Sequence, residues 1–513
     1  MSNFLSALKP PFSKERFWRL FLFTFAGALL GYNLLIIYGY TNPDGIMEGL
    51  TYYNNAVVAS TMSGRWFVRY LSLLFGNIVN PFLEIVYFSL CTTLSALYLG
   101  NLLHMKKDLS YILTSLLFVL CTNSIAQSSY LYMLKAYATC MLFSVLFAYF
   151  SKKKDLLSII IAPLLLALCF ALYQSYVGMA AAAVVLRLLS ELLIEKKGIK
   201  EAALSGIRSL ILAVFGGIIY LIGMKIDLAI YGLNSVNRIQ EFSLGNILSH
   251  LFASIRGTYQ SYFNYFLHDY VLKRRYLYLL LFILFLCVFF LKLKEEIKEK
   301  RTPEAAASII LLMLLPLFSN LILILIPTNP ISNLMNSQNL LFLPLCFALA
   351  EELPQKVFRA SGYALSIVLL WTLILCANAT FRCYQLSYHH INSQMQMVLN
   401  DIYHTEGYEK DKTQIVIAGY ISDDVLRDSN PLYRYAISLP ENVAFWEDTN
   451  GVTYNRRNYF LNYFGIDAQI VSEELYYYVI YSDWFKEMNV WPNANSVIFK
   501  DGLVVVKLTE DPH

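Results

Sequence analysis

Residues 17–37 read FWRLFLFTFAGALLGYNLLII, with a single charge, Arg19, close to the start. An apolar run of about 18 residues or more matches the roughly 30 Å hydrocarbon core of a bilayer. Residues 308–326, SIILLMLLPLFSNLILILI, repeat the pattern without any charge. Working outward, eleven such spans are read, at about 17–38, 80–103, 109–126, 128–150, 156–174, 176–194, 206–228, 276–293, 304–326, 338–352 and 357–378. The composition agrees, with 57% of the 513 residues hydrophobic, only 15% charged and a mean hydropathy of +0.50. Soluble domains run near a quarter charged, so an ordinary cytosolic enzyme, a disordered chain and a small disulfide scaffold are all excluded. The expected fold is mainly α, a polytopic transmembrane helical bundle.

Net charge is +4, but it is unevenly placed. Residues 379–513 hold 10 basic and 18 acidic residues, leaving 30 basic and 18 acidic for residues 1–378. The basic residues sit in short clusters between spans, as the positive-inside rule expects of cytoplasmic loops, and form no stripe for nucleic acid. Lys106-Lys107, Lys152–Lys154, Lys196-Lys197-Lys200, Lys292–Arg301 and Lys356 with Arg359 fall on one side, together with Lys9, Lys14, Arg16 and Arg19. The N-terminus is therefore expected in the cytoplasm, without a cleavable signal. An odd span count puts the tail outside a bacterial-type cytoplasmic membrane. The eight cysteines fall almost entirely within spans, with no CxxC or CxxH pairing, and read as small apolar residues.

Two domains are expected: 1–378 in the membrane, with long external loops at 39–79 and 229–275, and 379–513 as a small extracytoplasmic α/β domain. Both loops place apolar residues at helical spacing, as interfacial helices do. The tail offers a strand around Ile415–Ala418, a helix over Asn392–Tyr403 and a hairpin turning through Asp501-Gly502. Its Trp446, Trp484 and Trp491 are flat faces suited to sugar rings or to filling a small core.

The sharpest local feature is Asn42-Pro43-Asp44-Gly45, just beyond the first span. Asn before Pro is a helix start, capped at Asn42. Asp44 and Glu48, four apart, would share one face, where they could complement the helix dipole, act as general base or hold a divalent metal such as Mg or Mn. No cofactor is required. Next, Gly64-Arg65-Trp66 with Arg69 sets two guanidinium groups and aromatic rings at headgroup depth, as an interfacial anchor or a lipid-phosphate clamp. Lys273-Arg274-Arg275 breaks the positive-inside pattern and calls for a partner; with Arg256 and His268 nearby, that partner would be an anionic lipid headgroup or a substrate phosphate. Tyr173-Gln174, with Trp66, offers contacts to a sugar or acceptor. No P-loop, GxGxxG or GxSxG motif occurs, and Asp227 is the main acid within a span.

At these residues the chain resembles the serotype-converting glucosyltransferases of the Gtr type II group, within the GT-C superfamily of membrane glycosyltransferases. The resemblance rests on Asn42–Gly45, Gly64–Trp66, Tyr173-Gln174 and the order of spans, and it covers roughly residues 15–378. It implies an inverting transfer of a sugar, usually glucose, from a polyprenyl-phosphate carrier to a cell-surface polysaccharide such as O-antigen, outside the membrane. Asp44 then matches the acid that GT-C enzymes keep in their first external loop, and Arg65 falls in the matching GRW. The acidic tail departs from the family pattern. A polysaccharide polymerase and a lipid-linked glycan flippase are the alternative readings. The partners implied are membrane lipid, the lipid-linked donor and the polysaccharide acceptor.

Overall fold

The computed structural model describes residues 10–42, 45, 58–235, 244–269, 271–326, 333–410, 412–437, 459–461, 463–466 and 471–510. Its long helices are α1 Lys14–Tyr38, α2 Pro81–Leu102, α3 Asp108–Leu120, α4 Thr122–Ser128, α5 Leu134–Lys152, α6 Leu156–Phe170, α7 Val177–Leu193, α8 Ile199–Tyr231, α9 Leu244–Leu267, α10 Arg274–Lys298, α11 Thr302–Ser319, α12 Phe342–Glu352 and α13 Lys356–His404. Their ends follow from local chemistry. Ser13 caps α1 by accepting from the Arg16 N–H, and Gly39, at φ 65°, ends it. Asn80 before Pro81 caps α2, and Asp155 caps α6.

Among the described residues, eight helices are each long and apolar enough to cross a bilayer, and α3 with α4, bent by 45°, would make a ninth. The bend has a clear source: Cys121 between them is extended, with ψ 162°. Of the remaining predicted spans, α6 has only 15 residues, and α12 has 11 after a single-turn lead-in at Ser337–Leu341. The chain is a helical membrane protein. Helix α7 lies inside the bundle, with 83% of its apolar window buried against 28% for α8 and for α11. Lipid tails are as apolar as leucine, so membrane helices associate through close packing and small residues rather than through hydrophobic exclusion. Accordingly Gly27 and Gly31 of α1 sit against Leu116 and Leu120 of α3, and Gly178 of α7 lies against the Ser319 carbonyl of α11.

One end of the bundle is an ionic belt. Asp108 pairs with Arg16 and Arg19 at 3.0 and 2.7 Å, Lys106 with Glu352 at 2.7 Å, and Glu195 with His104, Lys152 and Lys197 at 2.6–2.9 Å. Glu296 joins Lys196 and Arg301. Five of the predicted basic clusters thus meet at a single end, interleaved with carboxylates.

Helix α13 has 49 residues, hence a length of about 73 Å, more than twice the hydrocarbon thickness. It runs unbroken through the predicted 378/379 boundary and includes the helix expected over 392–403. Beyond it, β1 Gln414–Ala418, β2 Val497–Lys500 and β3 Leu503–Lys507 form a sheet in the order β1-β3-β2. The hairpin β2–β3 turns at Asp501 and Gly502, both at positive φ (52° and 79°), as a tight hairpin of native twist requires. Strand β1 pairs in parallel with β3. Such a pair needs a long crossover, which residues 419–496 provide.

Candidate active site

At the end of the bundle opposite the ionic belt, the chain leaves α1 through Thr41 and Asn42. Both bond the Ser129 carbonyl at 2.9 Å, through the Thr41 hydroxyl and the Asn42 N–H. Tyr388 of α13 donates to the Thr41 carbonyl at 2.7 Å. The Gly45 N–H, in helical conformation, donates to Asn42 Oδ1 at 3.3 Å, the side-chain cap that Asn before Pro leads one to expect. Asp44 and Glu48 themselves lie outside the described residues. Among the described residues no three His, Cys, Asp or Glu side chains gather as metal ligands.

Twenty residues on, Gly64 turns the chain at φ 69°, a left-handed conformation open to glycine. The turn places the Arg65 guanidinium over the Tyr173 ring, 4.8 Å from its centroid. Tyr173 stands edge-on to Tyr137 and Tyr176. Gln174 holds the loop from below, donating to the Ser63 carbonyl at 2.8 Å and the Tyr220 hydroxyl at 3.0 Å. The Phe67 N–H bonds the Ala171 carbonyl at 3.0 Å, and Trp66 packs among Ala167, Ala171, Tyr220 and Met224. Arg65-Trp66 and Tyr173-Gln174, 108 residues apart in sequence, therefore form one cluster.

Arg69 joins this cluster as half of an ion pair. It bonds Asp227, whose other oxygen accepts from Thr61 at 2.7 Å, and its guanidinium lies over the rings of Tyr70 and Tyr231. Its charge is already met.

The distal cations separate. Arg256 and Lys273 are exposed, and Arg275 lies over the Tyr276 ring. Arg274 is buried at 2% exposure, bonding Asp269 Oδ1 through Nε at 3.0 Å and Nη2 at 2.8 Å. Burial pushes the Asp269 carboxyl above its ordinary range, with Arg274 opposing that rise. Arg274 and Asp269 line a cavity of about 580 Å³, together with Gln260, Asn264 and Asn336. Helix α4 links the two regions: Thr122 at its start lines the cavity, and Ser129 just past its end anchors Asn42. The seven-residue distance is about 10 Å along a helix. Gln127 of α4 also bonds the Tyr176 hydroxyl at 3.1 Å, tying the cavity wall to the Arg65 side.

Three features escaped sequence reading. Asp269, five positions earlier, is the partner of Arg274, one of the three cations in the cluster that broke the positive-inside pattern. The polar run Asn336–Asn339 at the head of an apolar stretch was a usable signal. The Glu84–Lys135 pair, 2.6 Å apart with both side chains 1% exposed, joins α2 to α5 and had no local signature.

Fold and site together define a polytopic membrane protein with a polar, arginine-bearing region at the end away from its lysine-rich belt. The family described as Glucosyl transferase GtrII matches residues 48–343, more than half of the chain, and the protein belongs to that family. The match agrees with the Gtr type II resemblance and spans its GRW and YQ motifs; the NPDG of residues 42–45 precedes the matched stretch. Comparison with curated proteins and with solved structures returned no match.

Proposed function

We propose that this protein transfers a glucosyl group, with inversion, from a polyprenyl-phosphate carrier to a cell-surface polysaccharide. The reaction would occur on the outer face of a bacterial-type cytoplasmic membrane. The ionic belt would face the cytoplasm, and the C-terminal sheet would lie outside. The family match supports glucosyl transfer. The observation that carries the reading is the Arg65 guanidinium held over Tyr173, at the same end as the Asn42-capped turn that leads into Asp44.

Asp44 acts as general base, taking the proton of an acceptor hydroxyl as its oxygen attacks the anomeric carbon. The bond from that carbon to the carrier phosphate breaks, and its electron pair stays on the phosphate. Arg65, with Lys273 and Arg275 as further candidates, stabilises the charge that develops there. Phosphate is already a good leaving group, so neither a nucleotide nor a covalent enzyme intermediate is needed. Glu48 assists Asp44, and the two carboxylates would hold a divalent ion where one binds.

The test is single-turnover transfer by purified protein with a polyprenyl-phosphate-glucose donor. Asp44→Asn should slow it by about 10²- to 10⁴-fold. A rate near wild type would remove Asp44 as the base. Product sizing separates decoration from polymerisation, since side-branch addition leaves the backbone repeat number unchanged.

A further inference from the structure

We propose that the cavity walled by Arg274, Asp269, Asn336, Gln260 and Asn264 binds a neutral hexopyranose ring, and not the carrier phosphate. The proposal deepens the glycosyl-transfer reading and rests on it for the origin of the sugar. Charge decides first. Arg274 is the buried cation of this wall, and Asp269 at 2.8 Å already neutralises it. A phosphate brought here would meet the Asp269 carboxylate without an uncommitted positive charge from Arg274, a costly arrangement away from water.

Hydrogen-bond chemistry decides second. Arg274 Nη1 and Asn336 Oδ1 are both buried with no partner among the described residues, on side chains 2% and 6% exposed. One is a donor and the other an acceptor. A sugar hydroxyl accepts and donates at once, so a ring with hydroxyls on adjacent carbons suits a wall that carries both a donor, the Arg274 guanidinium, and an acceptor, the Asn336 amide. A phosphodiester has no proton to give Asn336. Gln260, Asn264 and Ser261 add further groups of mixed polarity, and the 580 Å³ volume falls within the usual range of small-molecule sites, about 300–1,000 Å³.

The wall also includes Ala436 and Ile437, the latter fixed by its N–H to Thr380 Oγ1 at 2.8 Å. These residues lie beyond the family-matched stretch, so the tail supplies part of this sugar site and can shape its selectivity.

The probe is methyl β-D-glucopyranoside, read by saturation-transfer NMR on the full-length protein in nanodiscs, with inorganic phosphate as competitor. Wild type should transfer saturation to the ring protons, unaffected by phosphate, and Asn336→Ala should weaken binding about tenfold. Gln260→Leu, at the exposed rim, should weaken it in the same direction and covers the case in which Asn336→Ala fails to fold. Displacement by phosphate, or no transfer in wild type, overturns the proposal; so does equal transfer in every folded variant. In turnover assays, a raised KM for the lipid donor marks the ring as the donor's, and a raised KM for the polysaccharide marks it as the acceptor's. Intact glucosyl transfer without glucoside binding would defeat this proposal alone; glucoside binding without any transfer would defeat only the reading it rests on.

Discussion

At the residue scale, the basic side chains at the end away from the ionic belt differ in what already answers their charge. Arg69 and Asp227 bond directly, with side chains 11% and 6% exposed. Removing one member of a buried pair strands the other, at a cost of about 3–5 kcal/mol, whereas replacing both by apolar groups is close to neutral. Arg69→Met should therefore lower the melting temperature sharply, and Arg69→Met with Asp227→Leu should recover most of the loss. A double mutant as unstable as the single one would show that Arg69 is held by more than this pair. The sequence supplied both residues but not their pairing, because 158 positions separate them and nothing local brings them together. Gln174 was legible as a polar residue able to contact a sugar or acceptor; its two bonds beneath the Arg65 loop were not.

At the element scale, helix contacts depend on backbones approaching closely. A Cβ on Gly178 would lie 2.0 Å from the Ser319 carbonyl oxygen, so α7 and α11 would have to separate. Overpacking of this kind costs about 1–3 kcal/mol. Gly178→Ala should thus destabilise the protein by at least that amount in thermal melting. Gly217→Ala, on the outer side of α8 with nothing within 4 Å of an added Cβ, should stay within about 0.5 kcal/mol of wild type. Equal melting temperatures for the two would mean that α7 is less constrained than its packing implies. The positions of the helices were readable because hydropathy and caps are local. The bend at Cys121 was not, since it serves the tertiary position of α4, whose residues are all buried.

At the scale of the whole molecule, the ionic belt ties the helix ends together and sets a response to acid. Burial raises the Glu195 carboxyl, but its bonds to His104, Lys152 and Lys197 outweigh that and hold it well below the usual carboxylate range. A depressed folded-state pKa gives stability that is fully present above the unfolded value of about 4.3 and is lost as pH falls through the folded one. Glu195→Gln should therefore destabilise the protein near neutrality, and its gap to wild type should close as melting is followed below about pH 4. A gap constant with pH would mean that the pairing contributes nothing. Helix α13 joins the membrane bundle to the C-terminal sheet, and the tail reaches back along it to close the cavity beside Arg274. By itself the sequence determined the membrane class, where most of the apolar helices lie, the hairpin at Asp501-Gly502 and the motifs that carry the family, because hydropathy, capping and turn chemistry act over a few residues. Only the tertiary structure decided that Arg69 is neutralised by Asp227, which polar groups line one cavity and how the tail joins it, because those outcomes depend on contacts between residues far apart in the chain.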